Sequence, residues 1–333
     1  MTVTETDEVA EHPDDLAVLE EPEDSPGRVE RVWRAARDRA GRLTEAALRP
    51  REPLGTASVA VVWALTVFGL LAVWTLLYAF VLSGIQEHRT QSVLYAQLRQ
   101  ELAQATAPFG GSITPGSALF VMDAPTGGIH GLVVVEGTTS SQLTAGAGHL
   151  PTTPMPGQAG VSVLLGRSVT FGAPFRNVAA MHPGDVITVT TGQGEFSYRV
   201  DDVRHVGDKL PTPLAAGQSR LVLITSVGSG WRAGWAPQQT VYVDASLQKG
   251  AVQPAPAGRT SAVAPGSQPM KGDSSGLVVL VLWLSAFLLL VIGVMWARGR
   301  WGSWQVWLSA VPLVLACLWG ATQAAQWLLP NLV

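Results

Sequence analysis

The chain has 333 residues, a formal net charge of −3, 47% hydrophobic residues and one cysteine. That length allows one or two domains with additions, and a single cysteine excludes a disulfide within the chain. No basic patch interleaved with aromatics follows the first apolar run, so nothing points to nucleic acid as a partner.

Residues 1–27 carry ten acids and no Lys or Arg, the composition of a solvated, disordered tail. Residues 28–56 form a basic juxtamembrane segment with eight arginines between Arg28 and Arg51. Within it Val29, Val32, Trp33, Ala36, Ala40 and Leu43 follow a helical stripe. The stripe suits a helix on an anionic leaflet, and equally a plain topology signal with helical propensity.

Ala57–Leu82 is an apolar run without Asp, Glu, Lys or Arg, long enough to cross a hydrocarbon core of ~30 Å. It predicts a first transmembrane helix over 57–83. It starts too late and runs too long for a cleaved signal, so it reads as a retained anchor. Val93, Leu94, Leu98 and Leu102 recur at three- and four-residue spacings and predict a linker helix over 84–110.

The period then changes to two. Ala118–Met122, Gly131–Glu136, Gly160–Leu165, Asp185–Thr191, Gly194–Val203, Leu221–Thr225 and Thr240–Ala245 read as short strands between Gly, Pro, Asp and Ser turns. Seven or eight such strands over 111–248 predict an all-β closed barrel or sandwich. Residues 249–275, rich in Pro, Gly and Ser, predict a flexible linker. Gly276–Trp296 and Trp304–Leu329 are again apolar and predict transmembrane helices over 276–297 and 303–330. The third carries Gln305, Pro312, Gln323 and Gln326 and fits a membrane-surface hairpin as an alternative. Arginines before the first run, and Arg298 and Arg300 between the last two, place the N-terminus in the cytoplasm. The β domain and the C-terminus then lie outside the plasma membrane. There is no phosphate-cradling glycine loop and no Cys/His metal spacing, so neither cofactor nor metal is expected.

The stretch RLVLITSVGSG, Arg220–Gly230, is a buried strand ending on Ser226. With PGSALFVMDAP (Pro115–Pro125), GLVVVEGTT (Gly131–Thr139), LTAGAGHLPTTPMPGQAG (Leu143–Gly160), GRSVTFGAPFRNVAAMHPGDVITVTT (Gly166–Thr191) and TVYVDASL (Thr240–Leu247), it resembles the sortase family. The GAPF–PGD string is similar to class E, actinobacterial-type sortases of Gram-positive bacteria. The resemblance implies a membrane-anchored, exported, eight-stranded β-barrel. It implies cysteine transpeptidase chemistry, in which a thiolate attacks a Thr–Gly carbonyl, a histidine serves as acid and an arginine holds the oxyanion.

Those three positions have changed here. The histidine position is Arg167, the cysteine position is Ser226, and the arginine position is Thr240. A serine needs a base, and a guanidinium is not one. The resemblance therefore implies a catalytically degenerate member, a non-catalytic recognition or scaffold module. Its implied partners are the membrane, sorting-signal peptides, an active sortase or another membrane protein. Two other readings stay open. One is an active transpeptidase or acyltransferase using Ser226 with a relocated base, for which His205 is the candidate among His130, His149, His182 and His205. The other is a structural subunit of an envelope transport complex. Arg167 reads either as an anion-binding cleft residue or as a rim arginine paired with Asp201 or Asp202. Trp231 and Trp235, after Ser226, read as partner anchors beside the cleft, as barrel packing, or as membrane-interface residues. Whether the cleft is open is not legible.

Overall fold

A computed structural model describes residues 56–228, 237–256, 258, 265–300 and 303–333, with isolated positions between 27 and 38. The acidic tail, most of the basic segment and the loop holding Trp231 and Trp235 lie outside the described residues. The chain divides into two units, Met1–Val67 and Phe68–Val333. The barrel, the C-terminal helices and the candidate site all belong to the second.

Helix α1 (Thr56–Leu77) passes through a π turn at Tyr78–Leu82 into α2 (Ser83–Ala103). Near the C-terminus α3 (Gly276–Arg298) and α4 (Ser303–Leu328) follow one another. Three helical stretches, Leu65–Ala103, Gly276–Arg298 and Trp304–Leu328, are long and apolar enough to cross a membrane. Phe68, Leu289 and Leu308 leave 71, 69 and 68% of their surface exposed. Apolar side chains bared along whole helices suit lipid as their solvent. Gly320 of α4 meets the Trp283 ring of α3 so closely that a Cβ there would lie 2.1 Å from it. A small residue thus lets the two helices approach. Trp74 Nε1 donates to Thr322 Oγ1 at 3.1 Å, joining α1 to α4.

Eight strands close a barrel: β1 (Ala118–Ala124), β2 (Ile129–Glu136), β3 (Ala147–His149), β4 (Gly160–Leu165), β5 (Val186–Thr191), β6 (Gly194–His205), β7 (Ser219–Val227) and β8 (Gln239–Lys249). The order around the barrel is β1-β2-β3-β4-β7-β8-β6-β5, and β5 pairs back onto β1. The β2/β3 and β4/β7 pairs are parallel. The alternation of apolar residues decides what fills the interior. Phe120, Met122, Leu164, Ile187, Val189 and Leu223 form one buried cluster. On β7, Leu221 and Leu223 point into it, while Val222 and Ile224 belong to a second cluster outside the barrel with Leu143, Leu165 and Leu332. Side chains alternate between faces along a strand, so Ser226 shares the outer face with Val222 and Ile224.

Strand β3 was not among the strands expected from the sequence, because three residues are too few to display a period. It exists because Gly148 approaches the Gly137 carbonyl so closely that a Cβ would lie 2.1 Å from that oxygen. Before β3 begins, the open side of β2 is served by a side chain. Gln91 of α2 donates through Nε2 to Val133 O (3.0 Å) and Ala145 O (2.6 Å), and its Oε1 accepts from Val133 N (2.8 Å). One amide thus imitates a neighbouring strand. Gln91→Ala leaves buried backbone groups unpaired and is expected to destabilise the barrel by about 1–3 kcal/mol in chemical denaturation. Gln91→Glu keeps only the bond from Val133 N and sets a carboxylate oxygen against the Val133 and Ala145 carbonyls, so it should rescue none of that loss.

Two expectations are corrected. The linker helix ends at Ala103, where the chain turns at Gln104 and Ala105, the latter with φ 54°. The flexible linker is pinned in part. Gln253 N donates to Gly157 O and its carbonyl accepts from Ala159 N. Further on, the Ser267 carbonyl accepts from Thr138 Oγ1 at 2.8 Å, and Asp273 accepts from Ser141 Oγ at 3.1 Å. Scattered polar groups supply these anchors, and hydrophobic periodicity does not report them.

Candidate functional site

The end of β4 and the end of β7 lie side by side because these strands pair in parallel, Leu165 opposite Ile224. Arg167 and Ser226 therefore emerge at the same end of the barrel. Gly166 makes the junction possible, since a Cβ there would strike the Phe175 ring at 2.3 Å. Thr240 lies opposite Ser226 across the β7/β8 ladder and is 7% exposed. The three positions singled out in the sequence thus lie together at one end of the barrel, where the resemblance leads one to expect a cleft.

The cleft is filled. Beyond α4 the chain continues as Leu329–Val333 and enters it, burying Asn331 and Leu332 completely. Leu332 completes the apolar cluster on the outer face of β4 and β7. Its carbonyl oxygen is held by Ser226 Oγ (2.6 Å), Ser168 Oγ (3.2 Å) and Ser168 N (3.1 Å). Ser226 Oγ also lies 2.8 Å from Ser168 Oγ. Asn331 Nδ2 donates to Thr138 O (2.7 Å) and Gln268 O (3.0 Å), and Asn331 N donates to Lys271 O (2.9 Å).

Arg167 is fully buried. Its Nη1 donates to Val333 O (2.8 Å) and Thr170 Oγ1 (3.1 Å), and its Nη2 to Ser140 O (2.9 Å) and Ser140 Oγ (2.7 Å). The guanidinium lies 5.0 Å from the centre of the Phe171 ring, a cation–π arrangement. Burial pushes it down to about 9, still above neutral pH, so it keeps its charge. Among the described residues no carboxylate side chain pairs with it. The expected pairing with Asp201 or Asp202 is therefore corrected. Asp201 accepts from Ser246 Oγ and Asp202 from Val203 N, both in exposed settings. The contrast with Arg204 is direct, for Arg204 forks onto the buried carboxylate of Asp244.

The histidines do not join the cleft. His130, His182 and His205 are exposed. His205, the candidate relocated base, lies opposite Val241 on β6, with Nδ1 3.8 Å from Asp208 Oδ2. His149 is buried, with Nδ1 3.0 Å from Glu136 Oε2 and Nε2 3.0 Å from Pro154 O. It braces β3 against β2. Sequence reading missed Ser140, Ser168, Thr170, Asn331, Leu332 and Val333 as cleft residues. The sole sign was Pro330, which marks where the last helix stops without saying where the chain goes next.

Residues 122–243 match the family model described as Sortase domain. The barrel is a sortase domain. Among solved structures the chain is similar to a sortase D5 transpeptidase from Clostridium perfringens, at 20% identity over 48% of this chain and 99% of that one (TM-score 0.38). It is similar to sortase E from Streptomyces avermitilis at 27% identity over 41% and 91% (TM-score 0.34). It is also similar to sortase E1 from Streptomyces coelicolor, determined with a tripeptide in the active site, at 23% identity over 41% and 92% (TM-score 0.35). No curated protein matches the chain. The match thus runs from within β1 to within β8, while the flanking apolar helices and the docked C-terminal segment lie outside the matched residues.

Proposed function

We propose that this chain is a non-catalytic, membrane-held sortase-like protein, class E-like in sequence, that serves as a recognition or scaffold module in cell-envelope protein anchoring or assembly. One observation carries the reading. The Ser226 hydroxyl donates to a carbonyl oxygen, and its only other partner among the described residues is a second serine. A nucleophilic serine needs a base to take its proton. Here that proton lies on a hydrogen bond to the chain's own backbone. Arg167, at the position where the family resemblance puts a histidine, cannot take it.

The orientation belongs to the same reading. The positive-inside pattern puts the N-terminus in the cytoplasm, and the barrel and the end of α4 outside. Contacts between α4 and the barrel support a shared side. Gln326 O accepts from Ser140 Oγ, and Trp327 O accepts from Asp273 N. Ser140 belongs to the barrel's β2–β3 connection and Asp273 to the segment before α3, and both supply donors to the last turn of α4, where the helix runs out of its own.

The test compares the full chain with Ser226→Ala in the native membrane and in nanodiscs. Sorting-type peptides with a Leu-Pro-x-Thr-Gly core are expected to stay intact with either protein over days. A fluorophosphonate probe is expected to leave Ser226 unlabelled. Cleavage or labelling that disappears in Ser226→Ala would make the protein a serine transpeptidase and end this reading.

A further inference from the structure

The segment in the cleft is bound as a ligand is bound. Its backbone is read at Leu332 O and Val333 O, one side chain enters an apolar pocket, and another is held by two carbonyls. The recognising groups come from four places along the chain: Thr138, Arg167 to Thr170, Ser226, and Gln268 with Lys271. An internal connection that had evolved only to cap a helix would not need a buried cation. The fit is also incomplete. Among the described residues Arg167 Nε and Asn331 Oδ1 are buried without partners. Each unpaired buried polar atom weakens the docked state. A segment with better-matched side chains would satisfy them.

We infer that the cleft is a peptide-binding groove whose resident occupant, Asn331–Val333, is exchangeable. An extended peptide, apolar at the Leu332 position and supplied in trans, displaces it. This deepens the non-catalytic reading and rests on it for the peptide's fate, which is to be bound and not cut. The groove selects for a chain that offers two consecutive carbonyl oxygens to Ser226/Ser168 and to Arg167/Thr170. It selects against an acidic residue at the Leu332 position, which would be buried among Leu143, Leu165, Val222 and Ile224. Because the occupant is tethered, its effective concentration is high, and a competitor must bind well or be tethered itself.

The test uses the full chain in nanodiscs with Cys317→Ala and Ser226→Cys, so that the single thiol reports on the cleft. Maleimide labelling is expected to be slow with the native tail. It should accelerate at least tenfold in Leu332→Asp, with an unchanged circular-dichroism spectrum confirming the barrel. The amidated peptide Leu-Pro-Asn-Leu-Val, added to that variant, is expected to restore slow labelling. Arg167→Gln provides a second route, since it removes the donor to Val333 O without touching the tail; it too should speed labelling. Unchanged labelling in folded Leu332→Asp and Arg167→Gln, or no protection by the peptide at millimolar concentration, would overturn exchange. Peptide cleavage is followed separately in the chain with Ser226 intact. Cut peptide there defeats the non-catalytic reading while leaving the labelling result to judge the groove.

Discussion

Replacing Leu332 by alanine is expected to weaken the docked tail by about 2–5 kcal/mol, the range for truncating a fully buried leucine. The side chain has no exposed surface and sits among Leu143, Leu165, Val222 and Ile224. Because the docked segment is short and lies at the barrel's outer face, the loss should be local. Hydrogen exchange reads this directly. The Ser168 amide, bonded to Leu332 O, should exchange at least ~30-fold faster, since 2 kcal/mol corresponds to about that factor. Amides of the β1/β5 ladder should be unaffected. Equal acceleration everywhere would mean that the tail is part of the global fold and not a docked segment. No acceleration at Ser168 would contradict the packing described.

The second large effect is expected inside the barrel. Glu136 and His149 face each other across the parallel β2/β3 pair, 3% and 0% exposed. Both ring nitrogens of His149 lie against oxygen acceptors, Glu136 Oε2 and Pro154 O. His149→Ala removes the only side-chain partner that a buried carboxylate has among the described residues and is expected to cost about 3–5 kcal/mol, measured by chemical denaturation in micelles. Glu136→Gln keeps a hydrogen-bonding group and should cost distinctly less. In a double-mutant cycle the His149→Ala/Glu136→Gln pair should recover part of the loss, because the orphaned charge is then gone. Strictly additive costs would mean that the two side chains do not act as a pair.

The barrel was legible because most of its strands are long enough to show alternation. β6 displays it through Phe196, Tyr198 and Val200, while β7 shows as a short apolar run, Leu221–Thr225, ending in a Ser/Gly turn. β3 was not legible, since Gly148 and its neighbours owe their strand to a close backbone approach and not to a pattern. The cleft was legible in half. Arg167, Ser226 and Thr240 stood out because the string around them resembles a family in which those positions bear chemistry. Their surroundings did not. Leu332 is 106 residues from Ser226 and Asn331 is 63 from Gln268 and 193 from Thr138, and no local signal joins an apolar helix's last residues to a strand end. Arg167 illustrates the same limit. Local charge suggested Asp201 or Asp202, but the fold gave it backbone and hydroxyl oxygens from Ser140, Thr170 and Val333.

The direct passage from α4 into the cleft has a consequence for how the protein meets its bilayer. Only Leu329–Asn331 separate the end of α4 from Leu332, and the helix end itself is fastened to Ser140 of the barrel through Gln326 and to Asp273, before α3, through Trp327. There is no slack in such a connection. Where α4 spans a membrane, its vertical position is set by hydrophobic matching, at a cost of fractions of a kcal/mol per Å of mismatch. A shift by one residue's rise, ~1.5 Å, is about half the length of a hydrogen bond. Bilayer thickness therefore acts on the bonds at Ser226 and Arg167 through a rigid rod, and thinner or thicker lipid should change how firmly the groove is occupied.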